Sequence, residues 1–149
     1  MLEAWLDYHR STLLLKCHGL DDAARKARPV PTSKLSLHGL IRHLAEVERA
    51  WFRRVLLGRQ DTPHLYGAAE DSDFFPLDQA DWDADLREWQ VECEASRAAA
   101  AARSLDDVGV GHGAARSLRW IYVHMIEEYA RHNGHADLLR EMIDGSVGD

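Results

Sequence analysis

Apolar residues recur at three-and-four spacing through four stretches of the chain, and each stretch predicts an amphipathic helix. Leu2, Trp5, Leu6, His9, Leu13, Cys17 and Leu20 trace the first, over residues 2 to 18, with Gly19 at its end. Thr32, Ser33 and Ser36 offer cap oxygens ahead of Leu37, Leu40, Ile41, Leu44, Val47, Trp51 and Val55, a second helix over about 36 to 57 closed by Gly58. Trp82, Leu86, Trp89, Cys93, Ser96 and Ala100 mark a third, about 79 to 103. The fourth, about 117 to 143, ends at Gly145. Asp21 to Arg28 suits a short helix before Pro29 and Pro31 stop it. Residues 59 to 80 keep no period and contain Pro63, Gly67 and the run Asp71-Ser-Asp-Phe-Phe-Pro76. They read as a long connection that either crosses the end of the fold or forms a lid. No segment reads as a strand, and Gly109-Val-Gly-His-Gly113 reads as a turn, since it lacks the preceding strand and the lysine of a P-loop. Four helices with one apolar face each bury those faces best against one another. The expected fold is therefore all-α, a four-helix bundle forming one domain over residues 1–149.

The stripe of the fourth helix runs Leu118, Ile121, Met125, Glu128, His132, Ala136, Leu139, Ile143, so two polar side chains occupy places where hydrophobes are expected. An unpaired charge in a bundle interior costs several kcal/mol, and a carboxylate and an imidazole one turn apart can share a divalent metal as their partner. His43, at the edge of the apolar face of the second helix, is a third ligand candidate from across the bundle. Two imidazoles and a carboxylate form a donor set used by zinc and non-haem iron enzymes that keep an open coordination position. A hydrogen-bonded core pair is the competing reading of Glu128 and His132. His124 lies about 12 Å along the axis from His132 and reads as a wall residue or as a partner that orients a ligand. Asn133 and His135 are candidates for the same orienting role, or else solvated helix surface. A di-iron site would need a second E-x-x-H motif, so one ion is preferred.

Composition narrows the function classes. The chain is 46% hydrophobic and 29% charged, ordinary for a globular protein, and its net charge of −7 with acids among the arginines argues against a nucleic-acid surface. No run is long and apolar enough for a membrane span, and the first residues lack the basic start and apolar middle of a signal peptide, so a cytoplasmic protein is expected. Cys17 and Cys93 are far apart in sequence and read as buried, reduced thiols. Glu46, Glu48, Arg49, Arg53 and Arg54 read as a solvated face with pairs four apart, and Trp5, Trp51, Trp89 and Trp120 as chiefly core.

Residues 35 to 52, LSLHGLIRHLAEVERAWF, and 118 to 141, LRWIYVHMIEEYARHNGHADLLRE, resemble the DinB-like superfamily, in particular its mini-circle or mycothiol-S-transferase-like branch. The pair Glu128 and His132 is similar to that of the N-terminal domain of mycothiol-dependent maleylpyruvate isomerase, whose additional C-terminal domain has no counterpart here. The resemblance implies a helical bundle with one divalent metal on His43, Glu128 and His132, zinc first and nickel, iron or manganese as alternatives. It implies transfer of a low-molecular-weight thiol such as mycothiol to a small-molecule electrophile, and a homodimer by family habit; in this hypothesis His124 or His9 is a candidate to handle protons, with core packing as the competing reading of either. Two further readings stay open at this point: hydrolysis by metal-bound water, and a non-catalytic metal-binding stress-response protein.

Overall fold

The computed structural model describes residues 1–111 and 113–148. The protein is mostly helical with one small two-stranded sheet. In chain order it contains α1 (Leu2–Cys17), α2 (Asp22–Lys26), α3 (Leu37–Glu48) running on as a π-helical segment (Arg49–Leu56), α4 (Trp82–Ala100), β1 (Val108–Gly111), β2 (Ala114–Ser117) and α5 (Leu118–Asp144). The long helices lie within two or three residues of the stretches that apolar periodicity marks out. Their ends follow from local chemistry: the Ser36 hydroxyl accepts from Gly39 N–H, Asp81 from Ala84 N–H and Ser117 from Trp120 N–H. Gly145 stops α5 in the left-handed region at φ +80°.

Helix α1 packs along α5, α3 along α4, and α3 also meets α5 and α1. Leu6, Leu13, Leu40, Leu44, Ile121 and Met125 are fully buried at the centre. Cys17 and Cys93 are free thiols in the interior. Among the described residues no helix is long and apolar enough to cross a membrane.

Three expectations are corrected. Residues 108 to 117 form a β-hairpin where no strand was expected, with Val108 opposite Ser117 and Gly111 opposite Ala114. Its alternation is inverted: Val108 and Val110 face solvent, while Gly109 and Gly111 press on the π-helical segment. A Cβ on Gly109 would lie 2.4 Å from the Val55 carbonyl oxygen, so only glycine allows this approach. His112 lies outside the described residues. The charges at 46 to 54 are not a solvated face. Glu48 is completely buried, Arg49 and Arg53 both reach the buried Glu92, and Arg54 pairs with Glu46 at 2.7 Å. Of the four tryptophans expected in the core, Trp89 is buried, but Trp5 is 54% and Trp120 41% exposed.

The core position that Trp5 and His9 leave on α1 is taken by Arg10, which is 3% exposed. Its Nε and Nη2 donate to the two oxygens of Glu48 at 2.8 and 2.7 Å. The Tyr129 hydroxyl donates to the same carboxylate at 2.9 Å and accepts from Trp89 Nε1–H at 2.9 Å. This polar knot ties α1, α3, α4 and α5 together, each charged group satisfied by a partner on another helix.

Candidate metal centre

Glu128 and His132 stand one turn apart on the inward stripe of α5, and α3 sets His43 opposite them. Each of the three residues offers one ligand atom, and those atoms all lie within 4.8 Å of one another. His132 Nε2 is 3.6 Å from Glu128 Oε2, and the His43 and His132 rings meet edge to face with centroids 4.7 Å apart. The cluster is recessed: the whole His132 residue is 8% exposed and the Glu128 side chain 16%. Cavities near 560 and 540 Å³ lie along α4 and touch none of these residues, so it is the donor set that distinguishes this place.

The outer edges of both imidazoles are engaged. His43 Nδ1 is 2.6 Å from Asp73 Oδ2, and its ring stacks on Phe74 at 4.9 Å between centroids. His132 Nδ1 is 3.3 Å from His135 Nδ1, where one ring donates and the other accepts. The inner nitrogens are thereby left for the space beside Glu128. The His132 imidazole beside it holds the Glu128 carboxyl below its usual range, and the nearby His124 and His43 reinforce this against burial. An ionised carboxylate beside two imidazoles fixed through their far nitrogens suits a divalent cation such as zinc.

His124 is not one of the three clustered donors. Its Nε2 lies 3.5 Å from Glu128 Oε1 and its Nδ1 3.4 Å from Glu127 Oε2. The ring stacks on Trp120 at 5.0 Å and meets Trp51 at 4.5 Å, so His124 forms an aromatic wall against the outer oxygen of Glu128. His9 is not brought to the cluster. It sits at the seam of α1 and α5 beside Trp5 and Tyr8, where Asn133 Nδ2 donates to its carbonyl at 3.0 Å and lies 3.4 Å from its Nδ1. Asn133 therefore serves that seam, while His135 touches His132. Burial lowers the pKa of both His9 and His135, helped for His135 by His132 and Arg131.

Asp73 is the site residue that sequence reasoning missed. It belongs to the aperiodic connection, 30 residues from its partner. The concentration of acids and aromatics at residues 71 to 75 was its only trace in the sequence.

Taken together, these features define a helical protein with a recessed donor set of two histidines and one glutamate shared between two helices. The family model for mycothiol-S-transferase matches residues 1–145, and the chain belongs to that family. Neither a curated protein nor a solved structure gives a significant match.

Proposed function

We propose that this chain is a metal-dependent S-transferase that joins a low-molecular-weight thiol of the mycothiol type to a small electrophile. In this reading it is a single DinB-like domain, its four long helices forming the bundle of that superfamily. His43, Glu128 and His132 hold one divalent ion, zinc foremost. The single observation that carries the reading is their convergence from α3 and α5 in a mycothiol-S-transferase chain.

When bound, the cation supplies positive charge that lowers the pKa of a thiol and keeps it as the nucleophilic thiolate at neutral pH. Three protein ligands would leave the ion open to such a co-substrate. Trp51 and Trp120 shield the outer side of the centre, and His124 Nε2 takes up the thiol proton. The sulfur then forms its bond to the electrophilic carbon while the bond to the leaving group breaks, and the proton held on His124 is available to the departing group. Orientation and exclusion of water are the protein's contribution, since the nucleophile arrives with the co-substrate.

Loss of free mycothiol in the presence of a panel of electrophiles tests this, together with elemental analysis of the untagged protein. About one metal per chain, with consumption that needs both metal and thiol, is the expected result. Turnover that proceeds without thiol would assign hydrolysis instead, and absence of either activity would leave a metal-binding protein. His43→Ala should lose the ion; full occupancy in that variant overturns the ligand set.

A further inference from the structure

His43 is the one member of the donor set that comes from α3, and the long connection between the π-helical segment and α4 reaches back to it. The turn at residues 71 to 76 is fastened from several sides. Phe74 and Phe75 N–H both donate to the Asp71 carbonyl, at 2.9 and 3.0 Å. Arg42, the residue before His43, donates from Nη2 to the Ser72 carbonyl at 3.0 Å and from Nη1 to the Pro76 carbonyl at 3.1 Å. Lys34 pairs with Asp71. Phe74 is buried against Gly39, one turn before His43, where even a Cβ would come within 3.1 Å of its ring. The result is a rigid shelf along α3, with Phe74 flat on the His43 ring and the Asp73 carboxylate at its Nδ1 edge.

Resting on the metal centre proposed above, we infer that Asp73 is the positioning residue of that centre: it accepts the Nδ1 hydrogen of His43 and so presents the Nε2 lone pair to the cation. Asp73 is not among the clustered donors, and it engages Nδ1 of the ring, which leaves Nε2 for the centre. An imidazole anchored through one nitrogen to a carboxylate is fixed in tautomer and rotation and is a stronger donor through the other. Among the described residues His132 has only another imidazole at 3.3 Å in the equivalent place, so the two histidines are unequal ligands. His43 is the one whose orientation is set in advance. The connection over residues 59 to 80 is thus neither a free lid nor a mere spacer: one of its side chains completes the centre.

Two measurements on the untagged full chain test this. Long-range proton–nitrogen spectra of the metal-free protein, at a pH where imidazole is neutral, should show His43 as the Nδ1–H tautomer; the Nε2–H tautomer overturns the inference. Zinc affinity, measured by competition with a chromophoric chelator, should fall about 10-fold in Asp73→Asn and up to about 100-fold in Asp73→Ala. The melting temperature of metal-free Asp73→Asn should stay close to that of the parent. Asn keeps the shape and one acceptor, so a residue that only pinned the connection would leave Asp73→Asn unchanged in affinity, and a value within twofold of the parent overturns the inference. A parent chain that binds no zinc overturns it together with the metal centre. Zinc binding that depends on Asp73, without any thiol transfer, sustains this inference and removes only the proposed activity.

Discussion

Replacing Arg10 by methionine should destabilise the protein far more than loss of a surface ion pair, because it strands a carboxylate in the core. Glu48 has no solvent exposure, and two of its three close hydrogen bonds come from the Arg10 guanidinium. Tyr129 would remain, held in its donor form because burial, with the Glu48 charge beside it, pushes its pKa well above the usual value. One hydroxyl cannot compensate a buried charge, and removing one partner of such a pair costs about 3–5 kcal/mol. For a chain of this size each kcal/mol is worth roughly 2–4 °C in Tm, so Arg10→Met should melt about 6–20 °C lower. Removing both charges should reverse much of the damage. In Arg10→Met/Glu48→Leu no ion is left to desolvate, and the remaining cost is the lost partner of Tyr129 and one of the partners of Asp7, about 1 kcal/mol each. Thermal and urea unfolding of the metal-free protein, followed by circular dichroism, would measure both variants. A single mutant as stable as the parent, or a double mutant whose loss equals the sum of the two single losses, would refute the reasoning.

Three further outcomes follow from the geometry. Gly109→Ala places a methyl group 2.4 Å from the Val55 carbonyl oxygen and should cost about 1–3 kcal/mol as the hairpin lifts away; an unchanged urea midpoint would count against that packing. His124→Ala should retain one metal per chain while thiol transfer falls by about 10²–10⁴-fold, and loss of the metal would instead make His124 a ligand. Acidification should lower the metal-free Tm in two stages. Burial depresses His9 and His135 below their ordinary 6.5, so the folded state binds fewer protons and stability declines as pH falls below that value. Asp7, whose burial is outweighed by hydrogen bonds from Arg97 and Arg10, lies below 3.8. Its stabilisation is complete above that pH and disappears as pH falls through its lower folded value. A Tm that holds steady or rises between pH 7 and pH 5 would contradict the first stage.

The helices were legible because their apolar spacing and their caps are local properties, and Ser117 and Gly145 bracket α5 without help from the rest of the fold. Glu128 and His132 were legible for the same reason, as two polar letters in one apolar stripe. What escaped was what depends on pairing over distance. Arg10 and Glu48 are 38 residues apart, and each alone looks like an ordinary surface charge; only their meeting makes either tolerable in the core. Asp73 stands in a segment without periodicity, so nothing local connects it to His43. The hairpin escaped because its inward positions are glycines, which leave no hydrophobic mark even though they make the closest contacts.

The two cysteines bear on how such a protein would survive its own chemistry. Cys17 and Cys93 are each 2% exposed. Burial raises the Cys17 thiol to about 12, and burial beside the Glu48 carboxylate lifts Cys93 still further above its usual value. Both sulfurs therefore stay protonated and sheltered at neutral pH, and the protonated form is a poor nucleophile. A catalyst that handles alkylating agents is exposed to self-poisoning at every encounter. If the chain transfers a thiol as proposed, keeping its own sulfur inert leaves the incoming co-substrate as the preferred target and spares the protein suicide inactivation.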